Sequence, residues 1–495
     1  MSRARAIAAL AAFGFLTACD PVGPEFQRPS LDAGESFRAE TPALVGEAAP
    51  DTAWWSRFDD PRVPDLIRRG LAANPDIAAA ETRLREAEAL RRSARSARFP
   101  TLDGELGGDT RYTRRLGGGG GGEDDGASAG LSVAGVFGWT ADLFGRERRA
   151  EEAARAEQAR RAWLREAVAL DVAGDVASTF VDLRGLEERL ALGLESLDLQ
   201  ERTLALVSGR VAAGLAPDLD MTRAEGAVAR LRAELAPLRT DIGRTTDSLA
   251  VLLGQPPSRF ELPPAPGDVP AIPSLLGGPA IGLPVDVVRR RPDLRAAEFA
   301  LAASTAEIGV AQAELFPELS LPGSLSLTAD GLGTGSIVRS VVGALSATLD
   351  IPLLDAGGRA AGVDAAEARA AEALELYRST LLTALGEVEG ALRDYDGAQQ
   401  RLTELDVAVD ADRRAVEQAQ GLYTGGLVTF SEVLDSQTAL TEALQQRAAA
   451  RTDVTLAAIA LYRAAGFAPC LSATSTGDGL EECPDGEAAT SPPAT

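Results

Sequence analysis

Asn74-Pro75-Asp76-Ile77 opens a run that closes on Phe99-Pro100-Thr101-Leu102, and Arg291-Pro292-Asp293-Leu294 opens another that closes on Phe316-Pro317-Glu318-Leu319. Openings and closings are separated by one interval (291 − 74 and 316 − 99, both 217), so no residue is gained or lost inside the run. Further on, Leu143-Phe144-Gly145-Arg146 matches Ala356-Gly357-Gly358-Arg359 at an interval of 213, and Gly214-Leu215 matches Gly426-Leu427 at 212. A unit of this length that occurs twice points to an architecture made by repetition. At 495 residues the chain exceeds the usual single-core domain, yet the matching copies span nearly all of it. One elongated body of two similar halves is expected.

The formal charge is −24, and all 49 basic residues are Arg. So acidic a chain is poorly suited to nucleic acid, which needs a cationic face. There is no His. That removes His-dependent triads, HExxH zinc sites and imidazole acid–base catalysis together.

Arg3 and Arg5 precede an apolar stretch from Ile7 to Phe15, the layout of an export signal. Leu16-Thr17-Ala18-Cys19 then resembles a bacterial lipobox, in which Cys19 becomes the first mature residue and carries acyl chains. Each buried methylene contributes about 0.8 kcal/mol, so several chains anchor firmly. The bland alternative is an ordinary secretory signal with an incidental Cys. Cys470 and Cys483 lie in a Gly/Ser/Thr/Asp/Glu/Pro stretch; in an oxidising compartment they close a small disulfide loop, and otherwise they are two unpaired thiols. No other soft ligand lies beside them, so a metal site is not expected there.

No internal segment reaches the ~20 continuous apolar residues of a spanning helix, but barrel strands show only alternation. Leu102, Gly104 and Leu106 alternate with polar residues, and Leu131, Val133, Gly135, Phe137 and Trp139 alternate with small ones. In the second half Leu319, Leu321, Leu325 and Leu327, then Leu345, Ala347, Leu349 and Ile351, do the same. Each half therefore carries one hairpin with an apolar face. For one hairpin alone, half-buried strands of a soluble sheet would suffice. Four strands cannot close a barrel and an open edge cannot sit in lipid, so spanning strands require several chains in one barrel; three chains give twelve strands.

The rest reads as helix. Arg146 to Arg210 and Ala360 to Tyr423 are free of Pro and rich in Ala, Leu, Glu and Arg. Leu183, Leu186, Leu190, Leu194 and Leu197 fall on one helix face. At 1.5 Å per residue each stretch reaches roughly 95 Å, a length that calls for coiled-coil-like packing. Each ends at a Gly-containing turn, Ala213 to Pro217 and Thr424 to Leu427, followed by a returning helix from Asp218 to Leu253 and from Ser431 to Ala465. Gly supplies the left-handed conformation such turns need.

At this point the sequence resembles the TolC-like outer-membrane factors, and in particular their lipoprotein branch. The matching words run through most of the mature chain: Val22-Gly23-Pro24, Trp54-Trp55, Phe58, Asp60-Pro61, Asn74-Pro75-Asp76, Arg290 to Leu294, Phe316-Pro317, and Tyr423-Thr424-Gly425-Gly426-Leu427 leading to Glu432-Val433-Leu434-Asp435. Each is weak alone; their order, spacing and duplication make the match. The resemblance implies a mainly α chain with a membrane β-barrel contribution. Long antiparallel coiled-coil helices would form a periplasmic α-barrel, and four strands per chain would enter a shared twelve-stranded barrel of a homotrimer. It implies the exit duct of a tripartite efflux pump, no enzyme and no cofactor, with a periplasmic adaptor and an inner-membrane transporter of the resistance-nodulation-division (RND) type as partners. The implied substrates are small amphipathic compounds.

By position, Gly214, Leu215, Gly426 and Leu427 would meet the adaptor, and Asp220, Glu432 and Asp435 would constrict the periplasmic entrance. Turn chemistry and helix-dipole preference explain the same residues without a function. Arg210 and Arg223 are candidate gating partners of these acids. The expected division is a signal peptide over residues 1–18, an anchored extended segment over 19–60, a first efflux repeat over 61–255, a Pro/Gly-rich linker over 256–283, a second repeat over 284–466 and a tail over 467–495.

One departure is Asp20: an Asp directly after the lipidated Cys holds lipoproteins in the inner membrane in enterobacterial sorting, whereas the alternating strands argue for the outer membrane. Competing readings are the duct of a type I protein-secretion or heavy-metal system, a periplasmic scaffold lipoprotein, and a glycosidase-like enzyme with paired carboxylates. Two Met and no His argue against metal export, a scaffold needs no outward apolar strands, and no cleft motif places a carboxylate pair.

Overall fold

The computed structural model describes residues 21–30, 34, 36–38, 53–113, 126–263, 271–279, 281, 284, 287, 290–332 and 338–469. Cys19, Cys470 and Cys483 lie outside the described residues. Among the described residues seven α-helices follow in order: α1 (Arg62–Ala73), α2 (Pro75–Ser96), α3 (Arg146–Ala212), α4 (Asp218–Leu252), α5 (Pro292–Ala313), α6 (Gly358–Thr424) and α7 (Phe430–Ala464). The strands are β1 (Thr101–Thr113), β2 (Gly126–Gly138), β3 (Thr140–Ala141), β4 (Glu318–Ser320), β5 (Gly323–Leu332), β6 (Val338–Leu345) and β7 (Thr348–Asp350). The chain divides into two compact units, one of Met1–Pro29, Leu84–Arg161 and Ala297–Tyr377, the other of Ser30–Arg83, Ala162–Ala296 and Arg378–Thr495.

The duplication is structural. α2 and α5 are both 22 residues long and start 217 apart (292 − 75). α3 and α6 are both 67 residues and start 212 apart (358 − 146), and α4 and α7 are both 35 residues at the same interval (430 − 218). The interval of 213 read at Arg146/Arg359 is thus corrected to 212. Gly145 (φ 81°) and Gly357 (φ 85°) occupy the equivalent left-handed position ahead of the long helices. The slip arises because Asp142 and Asp355 cap these helices from different distances. Asp142 accepts the Arg148 N–H at 3.0 Å, and Asp355 accepts the Gly357 and Arg359 N–H groups at 3.0 Å each. One residue fewer in the second turn forces Ala356 to φ 53°.

In the first unit, β1, β2, β5 and β6 form an antiparallel sheet in that order, and β3, β4 and β7 a smaller one. The main register aligns Leu106, Val133, Leu327 and Val341 in one row, and Glu105, Ala134, Ser326 and Val342 in the next. Side chains alternate across a strand, so Leu102, Leu106, Leu131, Val133, Leu325, Leu327, Val341 and Leu345 share one face. Leu106 is 77% and Val341 70% exposed. The opposite face carries Asp103, Glu105, Ser132, Ser324, Ser326, Thr328 and Ser340, with Thr328 and Ser340 hydrogen-bonded at 2.8 Å. β1 and β6 are edges with a neighbour on one side only among the described strands.

The expected third and fourth strands are corrected here. The alternation at 319–327 is cut by Pro322 into β4 and β5, which lie in different sheets, and the stretch at 345–351 is the end of β6 plus β7. Pro322 has no N–H to enter a ladder, and its carbonyl accepts the Ser346 N–H at 3.0 Å, turning both strands together. β6 escaped notice because Val341-Val342-Gly343 breaks the period of two.

The N-terminal segment is wedged into the same unit. The Val22 N–H donates to Phe144 O at 3.0 Å, and Arg149 donates through Nε to Val22 O at 3.0 Å and through Nη2 to Gly23 O at 3.1 Å. A Cβ on Gly145 would lie 2.6 Å from Pro21 Cα, so only glycine admits this approach.

The second unit holds the main core. Trp54, Leu66, Ile67, Val176, Phe180, Leu249, Ile459 and Tyr462 are buried in one cluster, with Trp54 stacked on Tyr462 at 5.3 Å. Arg62 is buried here with Asp60 at 2.7 Å and stands 5.0 Å from the Phe180 ring centroid. The repeated Asn/Arg-Pro-Asp word has a mechanical role in this unit. Pro75 and Pro292 each occupy the first helical position, where no N–H is required. The preceding side chains reach the end of the returning helices: Asn74 Nδ2 donates to Leu252 O at 3.0 Å, and Arg291 Nη1 to Ala464 O at 2.8 Å. The expected leucine face on α3 is buried at Leu183 and opens toward solvent at Leu194, which is 42% exposed.

Candidate functional site: the two helical hairpin tips

Both tips belong to the second unit and are built alike. At the first, Gly214 N–H donates to Val211 O at 2.9 Å and Leu215 N–H to Arg210 O at 2.8 Å. At the second, Gly426 N–H donates to Tyr423 O at 3.0 Å and Leu427 N–H to Leu422 O at 2.9 Å. This pair of bonds is the Schellman end of a helix, which needs a left-handed residue at the glycine; both glycines have φ 72°. A Cβ at either would meet nothing within 4 Å, so the requirement is conformational and not steric. Leu215 and Leu427 project from the turns at 67% and 75% exposure.

Behind the turns Val207, Ala224, Ala419, Tyr423, Phe430 and Val433 form a small core shared by the two hairpins, with Tyr423 and Phe430 ring centroids 5.7 Å apart. Arg210 lies over Tyr423 with its guanidinium carbon 4.8 Å from the ring centroid, and its Nη1 donates to Thr424 O at 3.2 Å. Burial pushes the Tyr423 hydroxyl above its ordinary pKa and the Asp220 charge adds to this, while Arg210 opposes both.

Of the expected acids, Asp220 is half-buried and Glu432 and Asp435 are exposed. Asp220 and Glu432 are the same position in the two copies (432 − 220 = 212), each in the first turn of its helix. There they oppose the partial positive end of the helix. Asp435 has Arg223 as its counterpart (435 − 223 = 212), also exposed, so the repeat places opposite charges at one level. Among the described residues no salt bridge joins Asp220, Glu432 or Asp435 to Arg210 or Arg223. The Arg210–Tyr423 contact itself escaped the sequence reading. No local pattern marks it, because most positions around the tips differ between the copies and only Gly209/Gly421, Gly214/Gly426 and Leu215/Leu427 are identical there.

The family model described as outer membrane efflux protein matches residues 66–255 and 283–467, one span for each copy of the repeat. The chain belongs to the outer membrane efflux protein family. Within this family it is 30% identical over 462 residues to the pyoverdine export outer membrane protein OpmQ of Pseudomonas aeruginosa, covering 91% of this chain and 95% of that protein. It is 29% identical over 435 residues to nodulation protein T of Rhizobium leguminosarum bv. trifolii, covering 86% and 90%. Among solved structures, the outer-membrane channel OprN superposes with a TM-score of 0.79 at 32% identity over 90% of this chain and 98% of that one. An outer-membrane efflux channel of TolC-like fold is therefore what this chain forms. Its place is the outer membrane.

Proposed function

We propose that three copies of this chain share one twelve-stranded barrel and act as the passive exit duct of a tripartite pump. A periplasmic adaptor and an RND-type transporter deliver small amphipathic compounds to it. The observation that carries this reading is the sheet β1-β2-β5-β6, which exposes an apolar face and whose edges β1 and β6 have no outer neighbour among the described strands. In lipid each unpaired backbone group costs several kcal/mol, so the edges must meet those of other copies. Acyl chains on Cys19 would anchor the assembly. The duct itself performs no reaction; the pump supplies the energy.

At the entrance, Leu215 and Leu427 would seat in the adaptor, with Gly214 and Gly426 shaping the turns. Asp220, Glu432 and Asp435 would form charged rings at a narrow mouth, attracting cations. Arg223 alternates with Asp435 around such a ring and moderates it. Support for an export role comes from OpmQ, which is named for pyoverdine export. Heavy-metal export is the second reading, favoured by 28% identity over 442 residues to the cation efflux system protein CusC of Escherichia coli. The 2 Met and absent His leave that reading few soft ligands.

Fractionation tests the proposal. The protein should stay with outer membranes through carbonate extraction and run as a heat-modifiable oligomer. Release by carbonate would overturn it in favour of a peripheral scaffold.

A further inference from the structure

At one level the two helical hairpins differ in kind. Pro237 stands inside α4, where it has no N–H to give the Ala233 carbonyl four residues back. Gly193 stands buried inside α3, and Leu235 of α4 fills the gap beside it: a Cβ on Gly193 would lie 2.5 Å from Leu235 Cδ2. Gly193 is 21 residues before Gly214 (214 − 193), and Pro237 is 19 residues after Asp218, where α4 begins (237 − 218). At 1.5 Å per residue both lie about 30 Å from the tip, so both arms of the first hairpin are weakened at the same height.

A third residue acts there. Gln445 of α7 donates through Nε2 to Arg189 O at 2.7 Å, and Arg189 Nε donates back to Gln445 Oε1 at 3.1 Å. Arg189 O is also the acceptor that a regular α-helix assigns to the Gly193 N–H. A side chain that enters the ladder in this way draws the carbonyl outward and favours a bend. Glycine resists that bend least. The positions 212 residues on from Gly193 and Pro237 are Leu405 in α6 and Ala449 in α7, and the position 212 residues before Gln445 is Ala233. The second hairpin therefore carries none of the three.

The seam between α3 and α7 changes character at the same height. On the side away from the tip, Val176, Phe180, Ile459 and Tyr462 share one apolar cluster, and Arg451 pairs with Glu188 at 3.0 Å. Toward the tip, α3 buries Ser196, Gln200, Thr203 and Val207, and three of these four are polar. Gln437 of α7 donates to Thr203 Oγ1 at 2.9 Å, while Gln200 Oε1 is buried with no hydrogen-bond partner among the described residues. A buried acceptor without a partner gains one as soon as water reaches it, so this stretch of the seam parts at the least cost.

We infer that the first hairpin pivots at Gly193 and Pro237, and that its distal part, 194–236, swings away from α7 when the Arg210 tie at the tip is released. Gln445 is a positioning residue: it holds α7 to α3 just behind the pivot and loosens the α3 ladder at the pivot itself. The second hairpin, with Leu405 and Ala449, stays straight. This lever presupposes the duct reading above and adds which arm moves and where it turns.

Planar-bilayer recording of the full-length protein with Cys470→Ser and Cys483→Ser tests it, in an Arg210→Gln background that frees the tips. Thr203→Cys with Gln437→Cys, joined by a short bis-thiosulfonate, staples the seam between pivot and tip; open events should be lost and should return with reductant. Gly185→Cys with Thr452→Cys, whose Cβ positions lie 3.3 Å apart, staples it behind the pivot on oxidation and should leave open events unchanged. Open events that survive the first staple, or vanish with the second, would overturn the pivot. Pro237→Ala, which favours helix and leaves the tip untouched, should lower the open-event frequency. Where the paired cysteines impair assembly, that variant carries the test, and an unchanged frequency would overturn the pivot. A protein that conducts in no variant would overturn the duct reading instead. Hydrogen exchange then judges the hinge alone: a Gly193 amide that exchanges faster than the Leu405 amide supports it, and equal rates would overturn it.

Discussion

Arg210 on the first hairpin lies over Tyr423 on the second, 4.8 Å from guanidinium carbon to ring centroid, and the same side chain donates to Thr424 O at 3.2 Å. One residue thereby ties the two tips of a chain. A cation–π contact contributes about 0.5–1 kcal/mol near solvent, and a charged hydrogen bond about 1.5–3. Arg210→Gln should shift the balance toward separated tips by roughly tenfold, the equivalent of 1.4 kcal/mol. Single-channel recording should show more frequent open events; Arg210→Lys, which keeps the charge without the planar fork, should fall between. Unaltered gating in Arg210→Gln would show that the contact is only packing.

Gly214 and Gly426 are constrained by backbone alone, both at φ 72° with open space around them. Replacement by Ala should cost about 1 kcal/mol at each tip through the left-handed strain. Hydrogen exchange at Leu215 and Leu427 N–H groups should speed up by roughly fivefold per substitution, the factor that 1 kcal/mol implies, while the core around Trp54 is untouched.

The opposite charges at 223 and 435 separate two effects that a purely acidic ring would merge. Asp435→Asn should weaken block of the conductance by divalent or polyvalent cations, and Arg223→Gln should strengthen it. If both substitutions move the block in one direction, the ring argument fails at this level.

Asp60 couples stability to pH. Burial alone would raise its pKa, but the hydrogen bonds and charge of Arg62, with Arg184 beyond, hold it below the usual carboxylate range. A carboxyl with a lowered folded pKa stabilises above its unfolded value near 4, and the contribution is lost as pH falls through the folded value. The thermal midpoint should therefore drop on the acid side below about pH 4. Asp60→Ala should cost about 3–5 kcal/mol at neutral pH by leaving Arg62 buried without its partner. Its acid-side slope should be shallower than that of the unaltered protein.

The two longest helices were legible almost to the residue because Pro-free runs end at glycine turns: Arg146 to Arg210 was expected and Arg146–Ala212 is found. The hairpins were legible as alternation, yet their bounds were not. Alternation reports only which side a residue faces, so Leu319 and Leu325 look continuous although Pro322 sends them to separate sheets. At the tips, the glycines were readable from turn chemistry. The Arg210–Tyr423 contact was hidden because it joins residues far apart in sequence. Leu170 is 7% exposed and its counterpart Leu382 is 70% exposed, a difference with no trace in residue type at all; it is set by what stands opposite.

Four strands per chain would close a barrel only in company with those of other copies. Native mass spectrometry of the detergent-solubilised protein measures it directly. A single species with the mass of three chains is predicted, losing its strand signal only when the trimer dissociates. A folded monomer that keeps the full strand content in detergent would contradict the account.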